Sequence, residues 1–152
     1  MRQGRLHRFP AMTRPPFRTA TEAERAFYQA FAYADADAMI AVWADDEAVT
    51  CVHPMAPPLV GREAVDASWR SILEASVGVD IRVEVLRQNL WPDLVVHLVQ
   101  EHIRLPDGDR RNPPLITTNI YQRSRDSWHM VLHHASPTGR GQAAPRDPGS
   151  LH

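Results

Sequence analysis

Apolar residues recur at three- and four-residue intervals over residues 20–45, which is the spacing of amphipathic helices. In the first of two helices, Ala23, Phe27 and Ala30 fall on one face. The T-x-x-E sequence at residues 21–24 is a capping box, in which a threonine and a glutamate side chain satisfy free amide groups at a helix N-terminus. We therefore expect the first helix to begin there.

A second, short helix follows, capped by Asp35 or Asp37, and it ends at the acidic pair 45–46. Helical spacing resumes over residues 62–76, which predicts a third helix. Each of these two helices has one apolar stripe for burial. The stripes comprise Met39, Ile40 and Trp43 in the second helix and Val65, Trp69, Ile72 and Leu73 in the third.

The remaining segments are rich in β-branched and aromatic residues and are separated by turn sequences, which predicts strands. The first covers residues 48–53, between the second and third helices. Four more cover residues 79–90, 94–105, 115–124 and 128–136. The resulting order, α-α-β-α-β-β-β-β, separates most strands from the helices and predicts an α+β domain with an antiparallel sheet.

Both ends are rich in proline, glycine and arginine, so burial there cannot offset the entropy of ordering the chain. We predict a disordered basic N-terminal extension over residues 1–18, one domain over residues 19–137 and a disordered tail over residues 138–152. The extension has three interpretations: an organellar transit peptide, a nucleic-acid-binding arm, or a disordered leader upstream of a start at Met12. It lacks the apolar segment of a secretory signal.

All 17 basic side chains are arginines, so the chain has neither a Schiff-base lysine nor a phosphate-loop lysine. The single cysteine, Cys51, excludes an internal disulfide and a four-cysteine metal site. Between residues 21 and 137 there are 10 arginines and 17 acidic residues, and this acidic body is poorly suited to nucleic acid. No apolar run is long enough to span a membrane, and we expect a cytoplasmic protein.

Histidines are the main candidates for chemistry, because an imidazole titrates near neutral pH and can bind metals. His53 alternates with Val49 and Cys51, so we expect it to point into the core or a pocket, either as a proton acceptor or as a hydrogen-bonded structural residue. In the last strand the same alternation puts His134 on the inner face and His133 on the outer face. No regular ligand spacing is present, so we expect no metal site.

Asn119 lies in a predicted strand, where asparagine is disfavoured, and shares a face with Thr117 and Tyr121. If that face is concave, Asn119 is a pocket amide that can donate and accept hydrogen bonds. If it faces solvent, the residue type carries little meaning. Large rings and the cysteine would line such a pocket or form the core. The candidates are Phe27, Phe31, Trp43, Cys51, Trp69 and Tyr121.

Several segments together resemble the SnoaL-like branch of the nuclear transport factor 2-like superfamily. They are residues 42–54, 58–65, 67–72, 118–123 and 133–137, together with Trp128. The resemblance covers about residues 20–137 and implies a cone, in which a curved antiparallel sheet wraps on three helices around a pocket. Homodimers are usual in that superfamily. It includes isomerases, cyclases and dehydratases as well as non-catalytic association domains, so the fold leaves the activity open.

The ketosteroid isomerases of that superfamily offer a residue-level comparison. His53, followed by Pro54, occupies a position similar to the isomerase base, and Asn119 falls near the second isomerase acid. Phe27 falls at the oxyanion tyrosine and has no hydroxyl. Since one oxyanion donor is worth roughly 2.7–4 kcal/mol, this difference argues against steroid isomerisation.

The resemblance therefore implies a dimeric protein whose pocket binds a small apolar or aromatic molecule without a cofactor. As an enzyme it would catalyse isomerisation, cyclisation or dehydration by proton transfer. His53 would be the base, Asn119 would orient a carbonyl group, and His134 would be a secondary acid or anchor. The alternative is a non-catalytic association or ligand-sensing domain, in which the same residues form the core and the dimer interface.

Overall fold

The computed structural model describes residues 13–106 and 112–139. Within these residues the helices are α1 (Ala20–Ala32), α2 (Ala36–Val42) and α3 (Arg62–Glu74). The strands are β1 (Thr50–Val52), β2 (Leu59–Val60), β3 (Asp80–Leu90), β4 (Leu94–Arg104), β5 (Leu115–Ser124) and β6 (Ser127–Pro137). The α+β class, the three helices and the five predicted strands are confirmed. The short strand β2 was not predicted, since its segment reads as a proline-rich loop.

The strands form one curved, open sheet in the order β2-β1-β6-β5-β4-β3. All neighbouring strands are antiparallel except β1 and β6, which run parallel. Register shifts between Val85 and Arg87 in β3, and opposite Ile120 and Tyr121 in β6, add local bends to the two strands. The helices pack on the concave face, which gives the predicted cone.

The N-cap residue of α1 is Thr19, which is two residues earlier than the predicted N-cap, Thr21. The Thr19 hydroxyl accepts a hydrogen bond from the Glu22 amide at 3.1 Å, and the Glu22 carboxylate accepts one from the Arg18 amide at 2.7 Å. The prediction that Thr21 and Glu24 form the box was therefore wrong. Because Glu22 is the glutamate of the cap, Glu24 is not used there and lies on the buried face of α1.

The chain joins the core before the predicted domain boundary. Phe17, which lies inside the predicted disordered extension, is fully buried, and its backbone bonds to Ser127 and Trp128 of β6. The prediction was therefore wrong at this residue. The parts of the predicted extension up to residue 12 and of the predicted tail beyond residue 139 lie outside the described residues.

Arg62 connects the start of α3 to the end of α2. Its guanidinium donates to the backbone oxygens of Ile40, Trp43 and Ala44 at 2.6–2.9 Å and to the Asp66 carboxylate at 2.9 Å. Carbonyl groups at a helix C-terminus lack intrahelical partners and carry partial negative charge, so a partly buried cation there stabilises the end of α2.

Helix α3 buries a narrower stripe than predicted. Val65, Trp69 and Leu73 are buried, as expected, but Ile72 is 38% exposed. Its predicted place on the buried face was wrong, because the seam that packs against the other elements takes residues four apart and leaves the neighbouring position outside.

Candidate functional site

An open groove of about 710 Å³ lies between α1 and the edge strand β3. Successive turns of α1 supply its polar side, and alternate residues of β3 supply its apolar side. Its lining includes Glu24, Tyr28 and Gln29 from α1 and Ile81, Val83 and Val85 from β3. An apolar wall facing a few polar groups is typical of small-molecule sites.

Gly78 fixes one end of the groove, where the chain passes from α3 towards β3. It has a φ of +100°, and a Cβ atom there would lie 2.8 Å from the Ala32 carbonyl oxygen. The same oxygen accepts the Val79 amide at 3.0 Å, which ties the end of α1 to the start of β3. A glycine is required because a side chain would both strain the backbone and collide with α1.

A buried hydrogen-bond chain runs from the floor of this groove across the concave face. The Tyr28 hydroxyl donates to the Glu101 carboxylate at 2.7 Å and accepts from the Asn119 amide at 2.8 Å. The Asn119 oxygen lies 2.7 Å from Nδ1 of His133. All four side chains are at least nine-tenths buried.

A second buried cluster lies beside the first, around Glu24. One oxygen of its carboxylate lies 2.8 Å from Nδ1 of His97 and accepts the Tyr121 hydroxyl at 3.0 Å. Glu24 is 7% exposed and also lines the groove. Two buried carboxylates on the concave face are costly unless they are hydrogen-bonded, and each has a phenol donor.

Burial governs the ionisation of these groups. It raises the pKa of the Glu101 carboxyl, and the charge of Glu24 raises it further. Burial and the Glu101 charge raise the pKa of Tyr28 well above its usual value, so this phenol keeps its proton. Burial, with the nearby His53 and His134, lowers the pKa of His133 to about 3. Groups with perturbed ionisation in a cleft are candidates for function.

His53 occupies a separate, half-buried corner at the end of β1. Its Nε2 atom lies 2.7 Å from the Ser68 hydroxyl, and its ring packs edge-on against Trp69 with centroids 5.0 Å apart. Burial lowers the pKa of His53, which favours the neutral imidazole that a proton acceptor needs. His133 packs edge-on against the same ring, with centroids 5.8 Å apart.

The predicted orientations of the adjacent histidines in β6 are reversed. His133 is 2% exposed and faces the core, whereas His134 is exposed. The cause is a bulge: Met130 pairs with Tyr121 and Leu132 pairs with Ile120, so Val131 is an extra residue in β6. A one-residue insertion moves every later side chain to the other face. The prediction that His134 points inward was therefore wrong.

Asn119 lies on the concave face, which is one of the two alternatives that the sequence left open, and its side chain is fully buried and bonded to protein partners at both ends. Neither it nor His53 is among the residues that line the groove. The same holds for the residues predicted to line a pocket. Of these, Phe27, Trp43, Cys51, Trp69 and Tyr121 are buried in the core, and Phe31 packs against it. Burial raises the pKa of Cys51 to about 12, and its Sγ atom lies 3.7 Å from Nε2 of His53.

Sequence reasoning missed the polar residues of α1 and β4 that form the site. Glu24 and Tyr28 are four residues apart on α1, and His97 and Glu101 alternate with Val95 and Val99 on one face of β4. Polar residues repeated on an otherwise apolar face were the available signal. The misplaced capping box hid it, because Glu24 had been assigned to the helix cap.

Two further findings concern the described residues. In residues 13–106 and 112–139, no group of three histidine, cysteine or acidic side chains is arranged to hold a metal ion. In the same part of the chain, none of the helices is long and apolar enough to cross a membrane.

Comparison with known proteins identifies the family. A model of the SnoaL-like domain matches residues 21–139, and the chain belongs to this family. Among solved structures, a protein from Thiobacillus denitrificans is 43% identical, with a TM-score of 0.78, over 82% of this chain and 99% of that one. It is provisionally named a calcium/calmodulin-dependent protein kinase type II association domain.

Two other relatives carry different names. A provisionally named dehydratase of the nuclear transport factor 2-like family from Streptomyces avermitilis is 28% identical, with a TM-score of 0.69, over 77% of this chain and 91% of that one. The F-box protein SKIP8 of Arabidopsis thaliana is 26% identical over 65% of this chain. That match spans about two fifths of the plant protein (41%).

Proposed function

We propose that this SnoaL-like domain binds a small, mainly apolar or aromatic molecule in the groove between α1 and β3, and that it transfers a proton on that molecule without a cofactor. The observation that carries the proposal is the two sets of buried titratable groups behind the groove, namely the hydrogen-bond chain and the Glu24 cluster. Tyr28 belongs to the chain and Glu24 to the cluster, and both residues also line the groove.

The groove has features that suit such a ligand. Ile81, Val83 and Val85 offer an apolar wall for a ring or hydrocarbon. On the opposite side, the Oε1 atom of Gln29 is buried and has no hydrogen-bond partner in the described part of the chain. An unpaired buried acceptor costs about 1–3 kcal/mol, so a rotation of the Gln29 side chain that lets a ligand hydroxyl or N–H group bond to this oxygen would be favourable.

Glu24 is the proposed proton acceptor, because its carboxylate lies in the groove and is oriented by Tyr121 and His97. Orientation by fixed partners is what general-base catalysis requires. His53 remains a second candidate base at its own corner, next to Ser68. Asn119 is proposed to act by orienting Tyr28 and His133 instead of contacting the ligand, since both of its polar atoms are already bonded.

The experiment is a thermal-shift screen of aromatic and alicyclic carbonyl compounds against the wild type, Glu24→Gln and His53→Ala. A ligand at 100 times its dissociation constant adds about 2.7 kcal/mol, which is a rise of roughly 5–10 °C for a chain of this size. We expect Glu24→Gln to lose the shift and His53→Ala to keep it. The opposite result would make His53 the key residue. If none of the compounds stabilises the wild type, the proposal is contradicted.

The second candidate is a non-catalytic, homodimeric association domain, which the 43% identity to the Thiobacillus denitrificans protein favours. The outer face of the sheet supports it. Along β4 and β5, Val96, Leu98, Ile116 and Ile120 point away from the concave face and are only partly buried. A solvated sheet face is usually polar, so this apolar surface is the proposed contact with a second copy.

A further inference from the structure

The hydrogen-bond chain between Glu101 and His133 has a direction that fixes where its protons lie. The Tyr28 hydroxyl has one proton, which it donates to Glu101 at 2.7 Å. Its oxygen can then only accept from Asn119, so the amide nitrogen faces Tyr28 at 2.8 Å. The amide oxygen is left facing His133 at 2.7 Å, and an oxygen acceptor requires a proton on Nδ1 of that imidazole.

The reverse arrangement requires an additional proton on Glu101. If the amide of Asn119 were turned over, Tyr28 would donate to the amide oxygen and would present a bare oxygen to Glu101. Two oxygens 2.7 Å apart then need a proton on Glu101 itself. In the observed direction Tyr28 can donate to Glu101 whether that carboxyl is charged or neutral, because either form keeps an acceptor oxygen.

His133 is neutral as well as fixed in orientation. Its ring packs with those of Phe27 and Trp69, with centroids 4.9 Å and 5.8 Å away, and burial lowers its pKa to about 3. A neutral imidazole with its proton on Nδ1 has a lone pair on Nε2. His53 is only partly buried and packs on the same Trp69 ring.

We propose that Glu101, Tyr28 and Asn119 are positioning residues that hold His133 as its Nδ1–H tautomer, so that Nε2 is an acceptor for a hydroxyl, enol or N–H group of a molecule bound at the His53 corner. His133 does not line the groove between α1 and β3, so this ligand part rests on the second candidate base of the proposed function, whereas the tautomer does not. The assignment adds His133 to the site, where the sequence had pointed to its neighbour His134.

The test is the tautomer of His133, read from long-range proton–nitrogen NMR spectra of the ¹⁵N-labelled full chain without ligand. The resonances are assigned by their loss in His133→Gln. We expect Nδ1 to show the shift of a protonated nitrogen and Nε2 that of an unprotonated one. A proton on Nε2 in the wild type would overturn the inference.

Variants test whether the chain sets the tautomer. Tyr28→Phe removes the central link, and Asn119→Ala removes the next one and serves as the second variant if the first does not fold. Both should convert a single tautomer into a mixture. Tyr121→Phe, which removes a phenol from the neighbouring Glu24 cluster, should leave His133 unchanged. An unaltered tautomer in the first two variants would overturn the positioning role.

The two proposals fail separately. A mixed tautomer in the wild type contradicts this inference while leaving ligand binding in the groove intact. A failed ligand screen contradicts the proposed function and, with it, the role of Nε2 as an acceptor for a ligand. The tautomer of His133 is not affected by that result.

Discussion

Single residues on the concave face explain why this SnoaL-like domain has a polar interior. Glu24 and Glu101 are buried carboxylates, and Tyr121 and Tyr28 each donate a hydroxyl to one of them. Such groups contribute little net stability compared with apolar residues of similar size, because desolvation offsets their attraction. Their presence next to a groove is therefore better explained by function than by packing.

His133 should make the stability of the fold depend on pH. Its pKa is about 3 when folded and near 6.5 when unfolded, so the unfolded chain binds a proton that the folded chain rejects. The contribution is present above pH 6.5 and is lost as pH falls towards 3. Between pH 7.5 and 5, urea unfolding should show a loss of about 2 kcal/mol from this residue alone.

The matched variants are His133→Asn and His134→Asn, which change adjacent residues of opposite exposure. The first should remove this part of the pH dependence, and the second should keep it. Equal pH profiles for wild type and His133→Asn would show that the imidazole is not held neutral.

The sequence could single out Asn119 and the adjacent histidines of β6 as candidates, but it could not show which histidine faces the core. Alternation along β6 was read as unbroken, and the bulge at Val131 exchanges His133 and His134. A bulge depends on how the neighbouring strand pairs, so residues from two distant segments decide it. Its position cannot be read from β6 alone.

At the scale of elements, the junction of α1 and β3 frames the groove, and Gly78 is its most constrained position. Gly78→Ala should lower the free energy of unfolding by about 1–3 kcal/mol, since alanine is strained at a φ of +100° and its Cβ would collide with Ala32. Gly139→Ala is the control, because nothing lies within 4 Å of the added carbon. Denaturant midpoints measure both, and similar values would contradict the assigned strain.

Most elements could be predicted because their periodicity is long and regular, as in α1 and β3 to β6. The start of α1 could not be predicted, since the T-x-x-E motif occurs at both Thr19 and Thr21. The burial of Phe17 against β6 favours the motif at Thr19, and that contact joins residues 110 positions apart in the chain. Strand β2 was missed because two residues are too few to show a period.

The whole molecule presents an apolar outer sheet face, whose central residues are Leu98 and its neighbours Val96 and Ile120. If this face joins two copies, Leu98→Asp should halve the mass measured by light scattering, because a charge cannot be buried there without a partner. Ile72→Asp, which puts the same charge on an exposed position of α3 away from this face, should keep the mass of the wild type. A wild-type protein that is already monomeric would contradict the dimer.

The central claim is that the groove between α1 and β3 is the ligand site, and blocking it tests this most directly. Val85 lines the groove and Leu86 does not, although the two adjacent side chains are similarly exposed, at 44% and 46%. Thermal shifts with stabilising carbonyl compounds should disappear in Val85→Arg and persist in Leu86→Arg. Shifts that persist equally in both variants would place the ligand elsewhere and contradict the account.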